Sequence, residues 1–144
     1  MPIVWKQQMA TGNTIIDDEH KLLICLINSV EIALKAENHG NMIRFLIKEL
    51  HLYTRNHFTQ EEKIMMQYKY KDYVAHKMQH QKILDDLKAL EDKLETISNN
   101  EESFSQIEDN IADLLRSWII DHVITTDLKL KPLFETYKSN GIKI

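Results

Sequence analysis

The stretch "HKMQHQKILDDLKALEDKL", His76–Leu94, decides the fold. Its His76, His80, Ile83, Leu84, Leu87, Leu90 and Leu94 recur every three or four residues, the period of one helix face; a strand would need alternation by two. The stripe predicts a helix from about Asp72 to Ile97. Two of its inward positions are histidines, and the same pattern is sought elsewhere.

Three more stripes of this kind flank it. A first helix carries Leu22, Leu23, Leu26, Ile27 and Val30 and fades near "AENHGN", with Asp17 or Asp18 as its N-cap. A second runs from about Asn41 to Met66 with Ile43, Leu46, Ile47, Leu50, His57, Phe58 and Met65 near one side. The fourth follows the polar loop "SNNEES", with Ser103 or Ser105 as cap. It carries Ile107, Ile111, Leu114, Leu115, Trp118, Ile119, His122 and Val123. "YKYKD" is a short connection between the second and third helices. Residues 1–16 read as an extended arm, with Gly12 in a turn and Trp5, Ile15 and Ile16 tacking it to the core. Pro132 opens a short last helix, "PLFETYK". Four amphipathic helices with short connections predict an all-α, up-down-up-down antiparallel four-helix bundle with an N-terminal arm and a short C-terminal helix.

Composition agrees. The 144 residues suit one domain, 1–144, and contain only three glycines and two prolines, too few for many tight turns. A net charge of −4 gives no basic footprint for nucleic acid. No run approaches a membrane span, and "MPIVWKQQM" does not resemble a secretory leader. The single Cys25, in "LLICLI", has no intramolecular partner and reads as a small buried hydrophobe in a reducing compartment. A soluble cytoplasmic domain is the expectation.

Seven histidines are present. His39 falls in the first interhelical loop. His51 precedes His57 by six residues, about 240° around a helix, and is expected at the surface. The other five, His20, His57, His76, His80 and His122, lie on apolar sides. A single inward histidine is usually a hydrogen-bonded core residue. Five in one small core each need a partner or incur a desolvation cost of roughly 1–3 kcal/mol, and a metal supplies a common one. His57 with Glu61, and His76 with His80, are i,i+4 pairs that share a helix face. In an antiparallel bundle His20 (start), His57 (end), His76 and His80 (start) and His122 (end) fall at the same end. Asp127 follows His122 by five residues, about 140° off in a regular α-helix, so it joins them only if the fourth helix widens into a π turn or stops near Thr125–Thr126.

Five nitrogens and two carboxylates exceed one tetrahedral zinc, and oxygen donors are too few for calcium or magnesium. Iron suits the mixture, with manganese, zinc or copper as lesser options. If two octahedral ions share Glu61, Asp127 and an oxo or hydroxo bridge, three histidines complete one ion and two leave the other a position short.

The segments "IIDDEHKLL", "HFTQEE" followed by Met65 or Met66, "HKMQH" and "WIIDHVITTD", with the leader "VWKQQMATGNTI", resemble the hemerythrin family, and within it the bacterial single-domain form, bacteriohemerythrin. The resemblance runs from Trp5 to about Tyr137. It implies two non-haem iron ions bridged by an oxo or hydroxo group, Glu61 and Asp127. His76, His80 and His122 would hold the filled iron, and His20 and His57 the iron that takes O2. Leu23, Phe58, Trp118, Ile119 and Val123, each near a ligand turn, are the expected walls of an apolar O2 pocket; ordinary core packing accounts for the same positions. The chain departs mildly from the family pattern: no proline stands in "YKYKD", and Val123 replaces a common isoleucine.

The implied function is reversible O2 binding for storage, transport and delivery, or sensing, without catalysis. Alternatives are a peroxidase-like di-iron enzyme and an oxygen- or redox-responsive signalling module with a separate protein partner. Oxygen-activating bundles use Glu-x-x-His pairs, and no glutamate here lies three residues before a histidine. A metal-free structural bundle is disfavoured by the five inward histidines. The sequence leaves oligomeric state open.

Overall fold

The computed structural model describes residues 2–36, 40–97 and 101–139, the side chains of 101–106, 119, 120 and 139 excepted. Helices α1 (Thr14–Leu34), α2 (Gly40–Gln67), α3 (Tyr73–Thr96) and α4 (Glu101–Ile119) form an antiparallel four-helix bundle. The fourth helix continues as a π-helical segment, Ile120–Thr126, and a 3-10 turn, Asp127–Leu130, before the short α5 (Lys131–Ser139). No helix among the described residues is long and apolar enough to cross a membrane.

The arm is more structured than its sequence suggests. A 3-10 turn, Gln7–Met9, buries Met9, and Ile3 is buried beside it. Asn28 of α1 grips the arm in both directions, accepting from Ile3 N and donating to Ile3 O at 2.8 Å each. The N-cap of α1 is Asn13, whose side chain accepts from Ile16 N, so neither Asp17 nor Asp18 caps the helix. Asp17 instead turns back and accepts from the Thr11 amide (2.8 Å), the Thr11 hydroxyl (2.9 Å) and the Gly12 amide (3.2 Å). Gly12 makes this turn at φ +96°, where a side chain is strained.

Elsewhere, α4 begins at Glu101, which places Ser103 and Ser105 inside the helix rather than at its cap. The α2–α3 connection is a Schellman turn: Lys69 takes φ +53°, its amide bonds Met66 O, and the Tyr70 amide bonds Met65 O.

Burial follows the stripes with instructive exceptions. Leu22 is 54 % exposed and Leu114 36 % exposed, although both were expected in the core. Cys25 is exposed too. It lies two residues, about 200°, from both buried Leu23 and buried Ile27, so it faces away from the core. An unbroken apolar run cannot show which of its members turns outward.

Two apolar clusters result. The larger joins Leu23, Ile27, Leu50, Leu87 and Leu115 with their neighbours along the bundle. The smaller joins Ile16, Ile64, Met65, Tyr68, Leu130 and Phe134 at one end. Each fully buried Leu, Ile or Phe contributes about 1.5–3 kcal/mol. The C-terminal segment belongs to the smaller cluster: Phe134 packs edge-on against Tyr68, and the Tyr137 hydroxyl donates to Tyr68 O. Along every main helix the inward histidines fall between the two clusters, which seal a polar layer from above and below.

Candidate metal centre

Both ways of bringing Asp127 inward operate. One π turn returns residue i+5 close to residue i, and the segment Ile120–Thr126 supplies it between His122 and Asp127. The chain then tightens into the 3-10 turn that begins at Asp127 and buries it completely. The Thr126 hydroxyl donates to Gln79 Oε1 at 2.8 Å and ties the π segment to α3.

All seven residues converge. Glu61, His76, His80, His122 and Asp127 form one group whose donor atoms lie within 4.8 Å of one another; His20, His57, Glu61 and Asp127 form a second. The two carboxylates are common to both, and each divides its oxygens between them. Glu61 Oε1 lies 2.7 Å from His76 Nε2 and 3.1 Å from His80 Nε2. Its Oε2 lies 3.3 Å from His57 Nε2 and 3.7 Å from His20 Nε2. Asp127 Oδ1 approaches His76 Nε2 (2.9 Å) and His122 Nε2 (3.0 Å), while Oδ2 approaches His20 Nε2 (2.9 Å).

These contacts are close, yet most lack hydrogen-bond geometry. His20 Nε2, His57 Nε2, His76 Nε2, Glu61 Oε2 and both Asp127 oxygens are buried without a hydrogen-bond partner among the described residues. His80 Nε2 and His122 Nε2 face each other at 3.0 Å. Buried polar atoms in such number carry a large desolvation cost unless a shared partner relieves it. A cation between them is that partner, so the residues fit a metal centre.

The protein without metal balances the layer with protons. Burial disfavours charge on His20, but Asp127 and Glu61 outweigh it and lift the pKa to about 10. His76 rises to about 9 against the same burial penalty, drawn by Asp127 and Glu61. His57 is raised too, by Glu19 and Glu61 acting against burial. Burial pushes Glu61 upward, but four surrounding histidines hold it well below the usual range. Burial and Glu61 press Asp127 upward, and His122 and His20 hold it low.

Beside the two-histidine group lies a small cavity of about 20 Å³, touching His20, His57, His122 and Asp127 and otherwise walled almost entirely by apolar side chains. Leu23, Phe58, Trp118 and Val123 line it as their positions suggested; the Ile119 side chain lies outside the described residues, as does His39. Ile27, Leu50, Thr54, Ile83, Leu87 and Leu115 complete the wall and were not singled out for it from sequence. Phe58 also stacks flat on the His80 ring, centroids 3.8 Å apart and planes within 6°.

Sequence reasoning missed two residues outright. Glu62 accepts from His80 Nδ1 at 2.8 Å. Glu19 meets His57 Nδ1 at 3.1 Å. Each holds a ring by Nδ1 so that Nε2 points inward toward the carboxylates. The available signal was an acidic residue beside a ligand turn, which also describes many surface positions. His51, expected at the surface, is half-buried because Glu91 of α3 reaches its Nδ1 at 2.7 Å.

The model of the hemerythrin HHE cation-binding domain matches residues 11–134, most of the chain. The chain belongs to the hemerythrin family. Myohemerythrin of Sipunculus nudus is 28% identical to this hemerythrin-family chain over 130 residues, covering 90% of it and 92% of the relative. Bacteriohemerythrin of Clostridium acetobutylicum is 27% identical over 127 residues, covering 86% and 95%. The bacteriohemerythrin of Pseudomonas aeruginosa is equally similar, covering 87% of this chain and 76% of its own length. Among solved structures, wild-type hemerythrin superposes with a TM-score of 0.81 over 93% of this chain and 98% of that one; at 23% identity this shows the shared fold.

Proposed function

We propose that this hemerythrin-family chain holds two iron ions and binds O2 reversibly, for storage, delivery or sensing. His76, His80 and His122 would hold one ion and His20 and His57 the other, with the carboxylates of Glu61 and Asp127 available to both. The observation that carries this reading is the unequal pair of donor groups with the apolar cavity against the smaller one. Bound as a ferrous pair, iron supplies the electrons and the coordination position for O2.

The chain's own residues do the rest. Leu23, Phe58, Trp118 and Val123 keep water from the cavity, and a neutral diatomic enters such a space far more readily than an ion leaves it through apolar walls. That asymmetry disfavours escape of superoxide and so favours release of intact O2. About 20 Å³ accommodates one molecule the size of water or O2 and leaves no room for an organic substrate, which favours binding over oxygenase chemistry.

The test is anaerobic reduction, an iron count, and exposure to O2 followed by visible absorption. About two irons per chain and a band that appears with O2 and fades on its removal are expected from the two donor groups. Rapid turnover of peroxide moves the reading to an enzyme, and a protein that takes zinc but no iron ends it.

A further inference from the structure

Of the fourteen side chains that line the cavity, twelve are buried and two, Ile83 and Trp118, are partly exposed. The outer faces of these two border an open groove between α3 and the α4–π segment. Its rim is polar: Gln79, Lys82 and Asp86 on α3, with Ser117, Asp121, Thr125 and Thr126 opposite. His122 also touches both spaces. Of the other lining residues, Phe58 also borders an open groove between α2 and α3, but it is buried and stacked on the His80 ring. A further groove, lined by Leu90 and Lys93 of α3 and Ile107 and Leu114 of α4, continues the α3–α4 seam.

We propose that Ile83 and Trp118 are the door through which the small ligand passes between solvent and the cavity. The inference rests on the ligand-binding function proposed above and adds the route. Ile83, Trp118 and His122 separate the two spaces, and of these only Ile83 and Trp118 are partly exposed. Trp118 lies four residues before His122, and Ile83 three after His80, so both hinge on the turns that carry the three-histidine group. The Thr126–Gln79 bond pins the two helices together just below the door. Passage therefore needs rotation of Ile83 or Trp118 and no separation of the helices. Side-chain rotation is fast, so the door sets a modest barrier to a neutral diatomic and a larger one to a hydrated ion.

A door changes rates and leaves equilibrium nearly alone, because its barrier is crossed in both directions. In the iron-loaded protein, Ile83→Val and Ile83→Ala should raise association and dissociation rates together, by about threefold or more for alanine, with the equilibrium constant held within about twofold; Ile83→Phe should slow both. Leu94→Val, buried in the core cluster away from the cavity and the groove, should leave association unchanged. The probes are O2 with the reduced centre and azide with the oxidised one. Rates that ignore Ile83 overturn the door, as does an effect confined to dissociation, which marks a wall contact. A centre that takes azide but not O2 ends the oxygen reading, and the azide rates still decide the door. Crystals of the metal-free protein under krypton give a readout independent of iron. Gas in the cavity and against the groove face of Trp118 supports the route; a file of sites through another wall overturns it.

Discussion

The polar layer has two sides, and they differ in what stands behind the nitrogens. On the side of His76, His80 and His122, rings fill the space. His80 is pressed flat under Phe58 and tied at Nδ1 by Glu62, and His76 packs edge-on against both His80 and His122. On the side of His20 and His57 there is one ring fewer, and Leu23, Phe58 and Val123 surround a small empty volume. His57 is tied by Glu19, while His20 Nδ1 has no partner among the described residues. The contrast teaches how a symmetric bundle makes an asymmetric site. The same two carboxylates face both sides, and the asymmetry arises from three rings on one side against two rings and an apolar wall on the other.

The largest effect is expected where the sides are joined. Glu61 is fully buried and touches four of the five histidines. Glu61→Gln keeps the shape and removes the charge, so both groups lose an anionic donor at once. Metal content measured by elemental analysis should fall from about two ions per chain to near none under conditions that saturate the parent. Retention of both ions would show that Asp127 and the rings suffice, and the carboxylate would not be the joint.

A smaller loss separates the sides. His57→Ala removes one of two nitrogens from the open side and none from the other, so about one ion per chain should remain. His80→Ala leaves two nitrogens on each side, and the content should stay nearer two at saturation while ligand affinity for the once-filled ion appears. If His57→Ala empties both groups, the sides do not bind independently and the comparison breaks.

The metal-free layer gives a pH test. His20 and His76 have folded pKa values near 10 and 9, above the unfolded value of 6.5. Their pairing therefore stabilises the metal-free fold fully below pH 6.5, and the contribution is lost as pH rises through 9–10. The depressed Glu61 and Asp127 give the opposite limit, with stability lost as pH falls below the usual carboxylate range. Metal needs neutral rings, so loading at pH 7 should expel protons, at least those held by His20 and His76, and affinity should rise with pH until these rings are neutral. Calorimetry in buffers of different ionisation enthalpy counts the protons; none released would mean that the rings are neutral before metal arrives.

The bundle and the donor set were legible because both are periodic. His20, His57, Glu61, His76, His80 and His122 sit on stripes, and the direction of each helix follows from short connections. Asp127 was legible as a conflict: five residues cannot face one way on an α-helix, and the π turn resolves it. The exceptions depend on rotation and neighbours that no stripe encodes. "LLICLI" is apolar throughout, and only packing turns Cys25 outward and Leu23 inward. Asn13, rather than Asp17, caps α1 because Asp17 is drawn back onto Thr11 and Gly12. Glu19 and Glu62 were invisible because their partners lie on other helices.

Those two glutamates give the smallest test of the comparison and the sharpest. Each accepts from a histidine Nδ1 on one side only: Glu19 serves His57, and Glu62 serves His80. A glutamine can still accept the bond but gives up the negative charge that strengthens the ring as a donor, and losing such a partner typically weakens metal binding about 10–100-fold. The Glu62 contact is the shorter, 2.8 Å against 3.1 Å, and its carboxylate is the less exposed, 18% against 25%. Glu62→Gln should therefore have the larger effect, although Lys77, 4.0 Å from Glu62, offsets part of the charge already. In a staged chelator titration, Glu62→Gln should advance release from the three-histidine side and Glu19→Gln from the two-histidine side. Because the cavity touches His57 and not His80, only Glu19→Gln should also alter azide affinity. If both variants release the same ion first, the backing carboxylates act on the layer as a whole, and its two sides differ in the cavity alone.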